Sequence, residues 1–404
     1  MRKASILCAA VVFVAAAAAG RAALARSTYT VVVSARDTGY EQTPVSITIA
    51  APRCARSVAL RDAGGEPVSC DADFQGGAVQ VTWMLHDLPK GASRTYALEF
   101  NSRPRRHKAL AVRVYRWQGA MEVGINGAVF TRYNFAGAPK PFCYPVIGPT
   151  GEPVTRSYPM DKAAGESTDH PHHRSFWFAH GNVNGHDFWG EGDEAGKIVH
   201  RAFEALRSGS VMGRIGARND WVTGDGKKVC EEVRELRVYN ISRGRLVDFE
   251  VTVIATEGPI EFGDTKEGMM AFRVASSMEV TRKNGHILNS EGQRDVPAWG
   301  KRANWCDYWG PVGTKTVGIA ILDNPANFRH PTYWHVRDYG LFAANPFGVR
   351  DFVGKEAPSG AHSIPKGGSI TFRYRIFIHE GDAQQADIAG LWNQYAHPPV
   401  VRVY

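Results

Sequence analysis

Cysteine is scarce, with six in 404 residues, and one of these, Cys8, falls in an apolar N-terminal run. The other five show no metal-type spacing, so a free buried thiol is the default reading. Only Cys54 and Cys70, which flank the turn-rich "RDAGGEP", form a candidate disulfide pair. Beyond the first 25 residues no run is long and apolar enough to cross a bilayer. Helical patterning is nearly absent before residue 382. Dense charge is lacking too. The net charge is +8, but the basic residues are scattered, and "RPRRHK" at 103–108 is the single tight run. It reads as a solvated linker, so nucleic acid is not an expected partner.

The N-terminus supplies a leader pattern. Arg2 and Lys3 precede an apolar stretch, Gly20 and Arg21 interrupt it, and Ala23-Leu24-Ala25 offers small residues for cleavage. We read residues 1–25 as a secretory signal peptide, which implies a periplasmic or extracellular protein with no membrane span after cleavage.

Most of the remaining chain alternates with period two. "YTVVVSA", "PVSITIA", "AVQVTWML" and "TYALEF" predict a small β-sandwich over residues 26–103. "LAVRVYRW", "VCEEVRELRVYNIS", "RLVDFEVTVIAT", "TVGIAIL" and "SITFRYRIFIH" predict a large antiparallel β-sandwich over 104–404. "DAQQADIAGLWNQYAH" predicts one C-terminal helix, capped by Asp382 and stopped by Pro398 and Pro399. The expected class is therefore all-β.

Three segments carry more polar and aromatic residues than connecting loops require. The first runs from "YPMD" (158–161) through "DHPHHRSFWFAHG" to "NVNGHDFWGEG". The second is "GDTKEG" (263–268). The third runs from "NWCDYWG" (304–310) to "RHPTYWHVRDYGLFAANPFG" (329–348). If "HPHH" is extended, His170 and His172 share a face, where they are candidate ligands for a divalent metal ion or candidate proton carriers. Tryptophan faces beside Asp, Asn, His and Arg groups suit a sugar ring, whose C–H face packs on the indole. The alternative reading of each feature is structural: loop-bonding histidines, core tryptophans and a salt-bridged surface turn at 264–267.

The strings "KPFCYPVIGPTGEPVTRSYPMD", "DHPHHRSFWFAHGNVNGHDFW", "FGDTKEGMMAFRVA", "WCDYWGPV" and "HPTYWHVRDYGLFAANPFG" resemble bacterial secreted proteins labelled the PmoA family, or methane oxygenase PmoA. The resemblance spans roughly residues 110–380. It implies a large sandwich similar to the supersandwich of galactose mutarotase-like, aldose-epimerase-type proteins. A methane oxygenase reading implies helical membrane subunits, which the strand pattern does not match.

These readings lead to a secreted carbohydrate-active protein doing acid/base chemistry (epimerisation, elimination or hydrolysis) on a sugar or glycoside. Candidate catalytic residues are His170, His172, His180, Arg174, Glu267 and Asp338. Candidate substrate-binding residues are Trp189, Trp309, Trp334, His335 and Asn345. The alternatives are a non-catalytic carbohydrate-binding protein and a redox enzyme with a histidine-bound metal.

Overall fold

The computed structural model describes residues 27–104 and 110–404. The segment read as a leader, 1–25, and most of the 103–108 run lie outside them. The chain forms two compact units.

The smaller unit holds a five-stranded and a three-stranded antiparallel sheet. Their facing sides bury Val31, Val33, Val81, Trp83 and Leu98, the inward positions of the alternating strands. The expected division after residue 103 needs two amendments, because residues 209–211 and 397–404 also belong to the smaller unit. Residues 397–404 return to this unit, because the strand Val400–Val403 pairs with Thr28–Ser34 at the sheet edge. A second correction concerns the thiols. Cys54 is exposed, Cys70 is buried at the start of Cys70–Gln75, and no disulfide joins them.

The described residues of the larger unit form two eight-stranded antiparallel sheets and a small two-stranded one, so the β-sandwich reading holds. The first sheet contains Phe176–His180, Gly268–Arg273, Leu341–Asn345 and the edge strand Tyr333–Val336. The second is built on long strands, including Lys228–Tyr239, Arg245–Ile254 and Ser369–Glu380. Phe176 and Phe178 meet Phe249 and Phe372 of the second sheet at ring separations of 4.9 and 5.8 Å. That contact marks the face of the first sheet turned to the core. The expected C-terminal helix spans Ile388–Ala396. Asp387 rather than Asp382 caps it, accepting from the Gly390 amide, while Asp382 closes the preceding turn onto Gln384 and Gln385. Among the described residues no helix is long and apolar enough to cross a membrane.

Candidate functional site

Strand pairing brings the three polar segments together. Trp177 lies opposite Ala271, Ala271 opposite Ala343, and Ala343 opposite His335. This row alternates with Phe176, Phe272, Phe342 and Val336, whose side chains fill the core. The Trp177–His335 row therefore faces away from the second sheet. The loop before Trp177, the 263–268 turn and the 337–340 turn all adjoin this outer face.

The loop is anchored by two fully buried cations. Arg156 and Arg273 both donate to Asp169 Oδ1, at 2.6 and 2.8 Å. Burial pushes the Asp169 carboxyl up, but Arg273, His170 and Arg156 outweigh it and hold it at about 2. Asp169 also bonds His170 Nδ1. His170 lies parallel to His173 at 4.7 Å and to Tyr339 at 5.2 Å, and His173 stacks on Trp177 at 5.3 Å. His172 meets His173 edge-on at 4.5 Å, and Trp189 meets both His173 and Trp177.

The imidazoles of His172 and His173 are neutral near pH 7. Burial, then Lys140 and His170, lowers His172 to about 4. Burial, then His172 and Arg273, lowers His173 as well. Arg273 Nη1 lies 3.2 Å from His173 Nδ1 and can only donate, which assigns the ring proton to Nε2. Beside His172, the buried Lys140 donates to the Trp189 carbonyl at 2.7 Å and to Glu191 at 2.9 Å. Burial lowers this ammonium to about 8 against the pull of Glu191. Arg174 is already neutralised by the same carboxylate, through Nε at 2.8 Å and Nη2 at 2.7 Å.

Tyr339 links the third segment to the loop. The guanidinium carbons of Arg273 and Arg337 lie 5.0 and 5.4 Å from its ring centre. Burial raises its phenol, Arg337 and Arg273 oppose this, and Glu267 and Asp169 are close enough to add to it. Glu267 is 34% exposed and pairs with Lys266 at 3.1 Å. Its turn approaches Gly181 so closely that a Cβ there would lie 2.7 Å from the Glu267 Cβ. Asp338 is half-buried beside Tyr339, and its carbonyl accepts from Tyr308. Asn345 holds the 263–268 turn, donating to the Thr265 and Lys266 carbonyls at 2.9 Å each and accepting from the Phe347 amide. His335 is buried, its Nδ1 has no partner, and burial with Arg337 nearby lowers it to about 3.

Three expected site residues lie elsewhere, which corrects the sequence reading. His180 falls on the core face, two residues from Phe178. It donates through Nε2 to the Gly263 carbonyl at 2.9 Å, between Phe262 and Phe347. Trp334 also points inward, and its indole donates to the Ala303 carbonyl at 3.0 Å. Trp309 belongs to the second sheet. Its neighbour Tyr308 packs on Phe342 of the first sheet, so alternation aims Trp309 the other way. Strand phase decides all three, and a loop-rich motif does not reveal it.

The rings of His170 and His172 meet at 77° with centres 5.7 Å apart, and Asp169 occupies Nδ1 of His170. Among the described residues no group of three or more His, Cys, Asp or Glu is placed to hold a metal ion. These residues do not fit a resident metal. Sequence reasoning also passed over Lys140, Glu191, Arg156, Arg273 and Tyr339. One available signal was a lone cation inside an apolar run, as in "MMAFRVA", since a buried charge requires a partner.

Residues 120–393 match DUF6807, a family of unknown function. The chain belongs to this family. The matched DUF6807 region contains every residue of the outer-face cluster. No curated protein matches the chain in sequence. Among solved structures it is similar to an alpha-mannosidase from Enterococcus faecalis V583, with TM-score 0.45 and 10% identity over 94% of this chain and 46% of that one. It is also similar to a galactose mutarotase-like protein from Clostridium acetobutylicum, with TM-score 0.32 and 11% identity over 68% of this chain and 100% of that one. The chain thus spans less than half the length of the mannosidase.

Proposed function

We propose that this DUF6807 member is an exported carbohydrate-active enzyme whose working site is the outer-face cluster around His170, His172, Glu267 and Tyr339. The observation that carries the reading is the meeting of an exposed imidazole, a half-exposed carboxylate and a phenol at one place. Tyr339 lies flat on His170, and Glu267 is within electrostatic reach of it. Proton transfer needs one group able to accept and one able to donate at working pH. Neutral His172 can accept, and the Glu267 carboxyl beside Lys266 is a second candidate acceptor. Tyr339, with its raised phenol, stays protonated and can donate. Flat rings beside charged groups suit a sugar, which offers an apolar C–H face and a rim of hydroxyls. The chemistry we assign is proton transfer at a ring or exocyclic carbon, as in epimerisation, elimination or hydrolysis. The motif resemblance to PmoA-labelled secreted proteins rests on the segments that build this cluster. The metal-redox alternative finds no suitable ligand set there. Export rests on the leader at 1–25.

The binding-only alternative shares the same residues and differs in turnover. A panel of oligosaccharides is scored by shift in Tm, then by product analysis. Glu267→Gln and His172→Ala are expected to keep sugar affinity within a few-fold and to lower turnover by about a hundredfold or more. Turnover unchanged in both variants makes the protein a binder. A panel in which no sugar raises Tm removes the carbohydrate reading.

A further inference from the structure

Apart from Asp338, the acids of the outer-face cluster already have cations. Asp169 has Arg156 and Arg273, Glu279 has Arg282 at 3.1 Å, and Glu267 has Lys266. Arg337 is left over. Its guanidinium carbon lies 5.4 Å from the Tyr339 ring centre and 5.7 Å from that of Trp299. Among the described residues it has neither an ion-pair partner nor a side-chain hydrogen bond, and Asp338, next in the chain, is not at ion-pair distance. The turn that carries it is closed at both ends. The Arg337 amide donates to the Leu341 carbonyl at 2.7 Å, and the Gly340 amide donates to the Arg337 carbonyl at 3.0 Å. Two further buried polar atoms near it have no partner: the Trp299 indole N–H and Nδ1 of His335. A guanidinium held against two rings, with its N–H edge unused, matches the planar fork of a carboxylate.

Building on the proposed carbohydrate site, we infer that its ligand is an acidic sugar, a uronic acid residue whose carboxylate pairs with Arg337. Tyr339 and Trp299 fix the guanidinium. A carboxylate neutralised there would also ease removal of the proton on the adjacent ring carbon, which joins this inference to proton-transfer chemistry.

The test uses the full protein and matched probes. Oligomers of galacturonate, glucuronate and mannuronate are compared by calorimetry with the same oligomers after carboxyl reduction to neutral sugars. At least one acidic series is expected to bind about tenfold or more tightly than its reduced twin, the size of one charge-assisted hydrogen-bonded contact. Arg337→Gln is expected to erase that preference while retaining the wild-type Tm, with Arg337→Lys in between. Equal binding of acidic and reduced twins overturns the acidic-sugar inference and leaves the carbohydrate site standing. A sulfated neutral oligomer that outbinds every uronate replaces the carboxylate by a sulfate ester. Failure of every probe, acidic and neutral, overturns both readings. The matched pair on the wild-type protein decides the question even if Arg337→Gln does not fold.

Discussion

His172 and His180 lie eight residues apart, and both are lowered to about 4. Their surroundings differ. His180 is sealed between the sheets with Phe262 and Phe347 on its flanks, and burial alone accounts for its shift downward. His172 sits half-buried at the outer face. Burial leads there too, but Lys140 and the neighbouring His170 add to it, and Glu191 and Asp187 work against it. The same depressed basicity thus arises in an inert core and beside a charged, accessible cluster. A perturbed imidazole identifies a working group only when its neighbours and its access agree.

The strongest way to break this contrast is to remove the charge that organises the outer face. Arg273→Met removes the fully buried cation shared by the partly exposed Asp169 and the buried Glu279, which keep Arg156 and Arg282. We expect a loss of about 3 kcal/mol in denaturant unfolding, the lower end of the cost of breaking a buried pair. Lys315→Ala, at an exposed pair 3.7 Å from Glu380, should leave the midpoint unchanged within error. Equal effects would mean that the buried cluster does not organise the fold.

The next test uses pH. A histidine held neutral in the fold but free to protonate when unfolded makes the unfolded state bind more protons. The stabilisation is complete above the unfolded pKa near 6.5 and is lost as pH falls toward 4. His180, fully buried, should contribute roughly 3 kcal/mol to that loss, and His180→Phe should flatten the stability curve between pH 6.5 and 4. His172→Phe should flatten it less, because this ring is partly open to solvent. Asp169, depressed to about 2, acts lower: its contribution is complete above about 3.8 and is lost as pH falls through 2. A curve in His180→Phe as steep as in the wild type would refute the sealed-core account.

A smaller and more discriminating effect is functional. His180→Phe should change sugar affinity by less than about twofold, whereas a comparable change at His172 should remove turnover. Isothermal binding with product analysis separates the two. Asp387→Ala, at the helix cap far from either histidine in sequence, should cost about 1 kcal/mol of stability and leave binding alone.

Much of the fold was legible. Period-two alternation located Ala78–Leu85, Arg245–Ile254 and Ser369–Glu380 to within a residue or two, because side-chain direction in a strand follows directly from position. Strands with a less regular pattern, such as Cys70–Gln75, were passed over. His170, His172, Trp189, Glu267 and Asp338 drew attention by composition, and the structure sets them at or beside the outer face. Trp309 and Trp334 drew the same attention and lie elsewhere, since an indole in a polar segment looks alike on either face. Lys140 and Glu191 are 51 residues apart, and nothing in their local sequence links them.

The chain's own order of residues determined that it is built of strands, which positions alternate, and where polar and aromatic groups are dense. Those are local properties, carried by backbone geometry and side-chain chemistry over a few residues. Tertiary structure alone decided which strands became neighbours, and hence which imidazole met Tyr339 and which met Phe347. Cross-strand pairing joins residues more than a hundred positions apart, and a shift of one residue would have exchanged the two faces.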